Sequence, residues 1–418
     1  KWLTGGRGLS SSYDLMTRYN KLIELGLEGW MYHFEFLNLG YAAYLDYFGF
    51  CKQAFPDIPD QVIAKMVSGI EVDLFRPDDE LKRLAKAAVD LGVAAEVKAG
   101  GSAAQTIERV AQAKNGKEWL AELEKSKDPW FNYSGGTGFY HHDPVWRENL
   151  DVPFTFLRNY VEKVEAGENL ARPLEAIRKE RDRLANEYGA LLPTDEDRKT
   201  FQGKLGLART VFPYIENHNF YVEHWHHSVF WRKMRELGKV FVNAGFAEDV
   251  EDIFYLRRDE IPVALFDMSS AWAVGASPRG PRYWPREVKR RKGIVQALRQ
   301  WTPPPALGVP PEVVTEPFTI MLWGITSDSI NTWLGGGVGA ALKGFAASPG
   351  VVEGSARVIT SAADLDQVLE GEILVCPITA PSWGPIFSRI KAAVTDVGGM
   401  MSHAAIVCRE YGLPAVVG

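Results

Sequence analysis

The chain changes rhythm at Gly344, and that change limits its fold more than any other feature. Up to about residue 340, apolar residues recur at helical spacing and strand-like alternation is scarce. From Gly344 onward come short apolar runs, EILVCPI, AAVTDV and PAVVG, each bounded by Gly, Pro or Asp. The pattern predicts a multi-domain chain, with a large mainly α-helical region over 1–340 followed by a small α/β domain over 341–418. WLGGGVGAALKG marks the boundary, and Gly335, Gly336, Gly337, Gly339 and Gly344 offer a hinge. With 418 residues, 46% of them hydrophobic, the chain can fill more than one core.

Within the first region, helices are predicted at about 11–25, 30–50, 79–92, 105–126, 150–167, 172–190 and 195–243, with Asp79 and Thr194 as N-caps. The segment WMYHFEFLNLGYAAYLDYFGF (30–50) is apolar on several faces, which predicts burial on more than one side. YSGGTGFYHHDP (133–144) reads as a loop, and 276–317 as loop-rich. Between the proline clusters of that second stretch, REVKRRKGIVQALRQW has the pattern of a basic amphipathic helix with a solvated face.

A formal charge of −6 argues against a nucleic-acid or anionic-membrane binder, and no apolar run is long enough to span a bilayer. The three cysteines, Cys51, Cys376 and Cys408, are too sparse for a disulfide framework and fit a reducing, cytoplasmic compartment. The chain opens at Lys1 rather than Met and stops just after LPAVVG, inside what reads as a strand. Both ends therefore read as cut.

The sharpest chemical signal is TDVGGMMSHAAIVCRE (395–410). Gly398 and Gly399 suit a tight turn or a close approach to a ligand. Ser402 can cap a helix from His403 to Glu410, with Gly412 and Pro414 as stop signals. His403 then sits in a first helical turn, where free N–H groups and the helix dipole favour an anion. A neutral imidazole that accepts a phosphoryl group suits that position.

In register with these residues, 344–418 resembles the swivelling phosphohistidine domain of the phosphoenolpyruvate-utilising enzymes. GFAASPGVVEGSARVI resembles its opening strand and turn, and TAPSWGPIFSRIKAAVTDVGGMMSHAAIVCREYGLPAVVG its signature. The resemblance implies that His403 is phosphorylated and that Thr395, Gly398, Gly399 and Ser402 shape the loop around it. Cys408 stands where the family usually has a smaller residue. The stretch 216–261 is similar to a helical segment of rifampin phosphotransferases that precedes the phosphohistidine domain and binds the acceptor. Phenylphosphate synthase resembles this arrangement too, with its nucleotide-grasp domain on a separate subunit.

The resemblance implies a dikinase-type phosphotransferase that passes an ATP-derived phosphoryl group to the hydroxyl of a small, aromatic acceptor such as a phenol. ATP and Mg²⁺ would bind a nucleotide-grasp domain, on a partner subunit or on a missing N-terminus, because no Walker-type run is present. Two alternatives stand beside it: an antibiotic-inactivating, rifampin-type enzyme with a wide acceptor pocket, and a phosphocarrier module with no small-molecule acceptor. On the acceptor side, His224 and His227 share one face at α-helical spacing and are candidates for the general base. Tyr221, Glu223, His218 and His226 are candidate acceptor-binding residues; His141, His142 and His33 (near Glu35) are weaker ones. No metal is expected, since neither a Cys nor a second HxxxH pattern supports one.

Overall fold

The computed structural model describes residues 12–304, 306–335, 343–360 and 362–418. They fall into two compact units. One comprises residues up to Tyr32 with His226–Leu307; the other comprises His33–Trp225 with Gly308–Gly418. This division differs from a boundary near 340. Of the glycines read as a hinge, Gly336, Gly337 and Gly339 lie outside the described residues, and Gly335 ends the helix Ser327–Gly335.

The expected helices form, with their breaks where the backbone chemistry requires them. The runs at 11–25 and 30–50 belong to one helix, Ser12–Ala54. The run at 105–126 divides into Ala103–Gln112 and Gly116–Ser126, the first opened by a capping box between Ser102 and Gln105. Thr194 caps Asp195–Val211 by accepting from the Asp197 N–H. Asp79 caps nothing; it lies in the first turn of Arg76–Asp90. The run at 195–243 is interrupted at Pro213, which has no N–H to give. It resumes as Tyr214–His218, continues through a π-helical stretch, Asn219–His226, and ends as His227–Asn243. The 276–317 stretch is less loop-rich than expected. Helix Gly280–Leu298 begins at its first proline cluster, with Pro281 in the opening turn where a missing N–H costs nothing.

The unit that contains Gly280–Leu298 has its own core of Leu15, Tyr19, Leu237, Phe241, Phe246, Leu265 and Met268. Arg291 ties it together by a two-pronged ion pair to Glu260, at 2.6 and 2.7 Å.

The other unit carries a five-stranded sheet in the order β1-β5-β4-β3-β2, with β1 Phe345–Ser348, β2 Ala356–Val358, β3 Ile373–Cys376, β4 Ala392–Thr395 and β5 Ala415–Val417. The apolar runs at the C-terminal end of the sequence are thus β3, β4 and β5. β1 pairs antiparallel with β5, and the remaining pairs are parallel. The helix His403–Tyr411 crosses from β4 to β5, capped by Ser402 and stopped by Gly412 in the left-handed region at φ 69°.

Sheet and helices share one core. Tyr44, Tyr47, Leu84, Trp119 and Phe154 belong to the same buried cluster as Leu374, Ile386, Phe387 and Val407. Polar groups reinforce that packing. Tyr160 and Tyr411 donate to the two oxygens of buried Asp78, at 2.5 and 3.1 Å, and Lys82 pairs with it at 2.6 Å. Buried Glu410 accepts from the N–H groups of Gly69 and Ile70, at 2.8 and 3.1 Å. Among the described residues no helix is long and apolar enough to cross a membrane, and the three cysteines are buried free thiols.

Candidate active site

Ligands of open α/β sheets bind beyond the carboxyl ends of the strands, and here that end carries a cavity of about 400 Å³. The segments leaving β3 (Ile378–Pro381) and β4 (Val397–Ala404) line one side. Helical residues His33, Tyr41, Glu216, His218 and Glu223 line the other, with Thr137 and Phe139 from the glycine-rich loop. Phe34, Tyr41, Phe139, Phe318 and Trp323 give it an aromatic lining.

The loop before His403 is held by backbone chemistry. Pro317–Trp323 ends at Gly324 in the left-handed region, and the terminal carbonyls of that helix need partners. Met401, Gly399 and Gly398 supply them, donating to the carbonyls of Met321, Leu322 and Trp323 at 2.8, 2.9 and 3.1 Å. Gly398 has φ 133°, and a Cβ on Gly399 would lie 2.3 Å from the carbonyls of Ile320 and Met321. The Thr395 hydroxyl closes the turn by donating to the Val397 carbonyl at 3.0 Å, and the Tyr41 hydroxyl donates to the Met401 carbonyl at 3.0 Å. Thr395, Gly398 and Gly399 thus build the turn that leads to the Ser402 cap and to His403.

His403 meets a residue that the sequence reading missed. Its Nδ1 lies 2.9 Å from Oε2 of Glu216, a carboxylate only 2% exposed. An ionised carboxylate accepts and cannot donate, so the ring proton sits on Nδ1 and the lone pair on Nε2. Nε2 has no hydrogen-bond partner among the described residues. That is the tautomer a nucleophilic or phosphoryl-bearing Nε2 requires.

The histidine cluster is sorted differently from the sequence expectation. A π-helix has more residues per turn than an α-helix, so α-helical spacing no longer places His224 and His227 together. It instead brings His218 and Glu223, five apart, to one side, with Nε2 and Oε1 separated by 3.9 Å. His224 turns into the core: it is fully buried, its Nδ1 accepts from the Ser134 N–H at 3.1 Å, and its ring packs on Tyr133. His226 and His227 belong to the other unit, where His227 packs against Trp30 and Trp231 and burial pushes His226 down to about 4. Tyr221 is exposed and donates to Asp73 at 2.7 Å. Neither His224 nor Tyr221 lines the cavity. The structure therefore gives His224 a place in the core and Tyr221 a place at the surface, and it puts His226 and His227 in the other unit.

His218 and Glu223 do line it, joined by His33. His33 Nδ1 lies 3.5 Å from Glu223 Oε1. Burial, aided by the Glu216 charge, pushes the Glu223 carboxyl up to about 8, and burial lowers His218. These three residues bring donor atoms within 4.8 Å of one another, a grouping that the sequence expectation of no metal did not contain. His141 and His142 do not line the cavity, and His142 is exposed. No Lys or Arg is among the lining residues, so the cavity offers a nucleoside triphosphate no cationic side chain.

Comparison with known proteins agrees with this arrangement. Residues 368–418 match the family described as PEP-utilising enzyme, mobile domain. The chain is 27% identical over 322 residues to the uncharacterized phosphotransferase YvkC of Bacillus subtilis, covering 75% of this chain and 35% of that protein. It is 28% identical over 360 residues to a rifampicin phosphotransferase of Streptomyces sviceus, covering 86% of this chain and 35% of that protein. Over 77 residues, 18% of this chain and 10% of the relative, it is 53% identical to a protein of Archaeoglobus fulgidus named probable phosphoenolpyruvate synthase. The chain thus spans about a third of the length of the first two of these relatives. Residues 368–418 are thus a PEP-utilising enzyme mobile domain, and they set its histidine loop against the cavity.

Proposed function

We propose that this chain is the acceptor-side part of a phosphotransferase, carrying an ATP-derived phosphoryl group on Nε2 of His403 to the hydroxyl of a small aromatic acceptor bound in the cavity. The observation that carries the reading is the 2.9 Å contact between His403 Nδ1 and Glu216, which leaves Nε2 as the reactive nitrogen. In the transfer the Nε2–P bond breaks and an O–P bond forms. The electron pair returns to Nε2 while Nδ1 keeps its proton, so the leaving group is a neutral imidazole rather than an imidazolate. Glu216 holds that proton in place. The hydroxyl proton passes to the group formed by His33, His218 and Glu223, the other basic atoms of the cavity wall.

ATP and Mg²⁺ act elsewhere, on a nucleotide-grasp domain or partner subunit, because no Lys or Arg lines this cavity to hold a polyphosphate. His403 therefore alternates between two sites. A volume of about 400 Å³ and an aromatic lining support a phenol-sized acceptor. The relatives named rifampicin phosphotransferase favour a second reading, a large antibiotic hydroxyl. The test is to load the chain with phosphoramidate, which phosphorylates histidine without a nucleotide partner, and to offer phenols and rifampicin side by side. Phosphorylated phenol that disappears in His403→Ala is the expected result. Transfer to rifampicin alone would support the second reading, and retention of an acid-labile phosphate by His403→Ala would remove His403 from the role.

A further inference from the structure

Phosphoryl carriage on His403 needs Glu216, yet the same cavity holds two buried histidines and a second buried carboxylate. His33, His218 and Glu223 are 6%, 4% and 7% exposed, and each comes with a donor atom turned toward the others. Glu223 Oε1 lies 3.5 Å from His33 Nδ1 and 3.9 Å from His218 Nε2. Ligands about 2.1 Å from a tetrahedral ion sit about 3.4 Å apart, close to these two separations, and all three donor atoms lie within 4.8 Å of one another. His218 is also oriented from behind: its Nδ1–H donates to the Tyr214 carbonyl at 2.9 Å, which leaves the lone pair on Nε2, the nitrogen nearer Glu223. Among the described residues no Lys or Arg pairs with Glu223; its charged-group neighbours within ion-pair distance are the two histidines.

We propose that His33, His218 and Glu223 bind a divalent transition-metal ion of the zinc class in the wall of the cavity. Two imidazoles and one carboxylate suit such an ion better than Mg²⁺ or Ca²⁺, which prefer oxygen ligands. Three protein ligands leave a coordination position open. The site rests on donor geometry alone; its role rests on reading the cavity as the acceptor's seat. In that role the open position receives the acceptor's hydroxyl oxygen. With the ion bound, the three side chains are engaged as ligands and no longer take the proton themselves: binding to a dication weakens the O–H bond, so the proton leaves to water and the acceptor meets phosphorylated His403 as an oxyanion.

The test uses the tag-free full chain prepared without chelator. Elemental mass spectrometry should find close to one equivalent of zinc-class metal, and Co²⁺ added to the stripped protein should give the visible bands of a low-coordinate N,O site. Glu223→Gln, which keeps the side-chain shape, and His218→Gln should each weaken Co²⁺ binding by about 10-fold or more. Both should still accept phosphate from phosphoramidate, whereas His403→Ala should bind Co²⁺ like the wild type and accept none. Absence of stoichiometric metal together with no Co²⁺ bands would overturn the site, as would unchanged Co²⁺ affinity in both ligand variants. Loss of phosphate loading with metal binding intact would count against the phosphoryl-carrier reading instead, and leave the metal site standing.

Discussion

Substituting Glu216 tests the pairing on which the proposed transfer depends. A hydrogen bond to a charged partner contributes about 1.5–3 kcal/mol and a neutral one about 0.5–1.5 kcal/mol. Glu216 is 2% exposed, so solvent screens the pair little. Glu216→Gln keeps an acceptor but loses the charge, a cost of about 1–1.5 kcal/mol, or a slowing of roughly 5–10-fold. Glu216→Ala removes the acceptor and should slow transfer by about 10–150-fold. The loss belongs to transfer out of phosphohistidine, because Glu216 lies on the helical side of the cavity rather than on the sheet side that carries His403. The assay loads each variant with phosphoramidate to equal phosphohistidine content, then follows decay by ³¹P NMR with and without a phenol. Decay within twofold of wild type in Glu216→Ala would refute the reasoning, since Nδ1 would then need no partner.

Four further outcomes follow from the geometry. Gly399→Ala places a Cβ 2.3 Å from two backbone carbonyls, so it should destabilise the protein by about 1–3 kcal/mol in thermal unfolding. His224→Ala should cost about 1–3 kcal/mol of stability by orphaning the buried Ser134 N–H, with the decay rate per folded molecule unchanged; a selective loss of transfer would restore His224 as a base. Burial raises Glu410 from 4.5 to about 7, so its contribution is fully present below pH 4.5 and lost as pH rises through 7. Wild-type stability should fall by about 3 kcal/mol across that window and that of Glu410→Gln should fall less, as read from unfolding midpoints. Tyr41→Phe should lower stability by about 1 kcal/mol by leaving the buried Met401 carbonyl short of its 3.0 Å donor, measured by denaturant titration.

The histidine loop and the strands around it were legible because their signals are local. Gly398 and Gly399 mark a close backbone approach, Ser402 a cap, and Gly412 a stop, and each does that job. The acceptor side was not legible in the same way. A one-step change in helical period between Asn219 and His226 reassigned every side chain downstream, turning His224 into the core and Glu223 into the cavity. Nothing in ENHNFYVEHWHH signals that change to a reading at 3.6 residues per turn. Glu216 was passed over for a related reason: its partner is 187 residues away, and a lone glutamate in a helix is ordinarily solvated. His33 was seen but undervalued, since its partners come from a different helix.

The three backbone bonds that join Gly398, Gly399 and Met401 to the helix Pro317–Trp323 bear on how far a travelling body extends. If His403 alternates between two sites, a swivel that began at the glycine run near 340 would tear all three bonds at once. It would strip a helix end and a loop of their partners together. A pivot upstream of Pro317 breaks none of them. The arm then includes Phe318, Leu322 and Trp323, so the cargo histidine carries away part of the cavity's own wall each time it leaves. Departure and opening of the proposed acceptor seat would then be a single mechanical event, and product release would need no separate door.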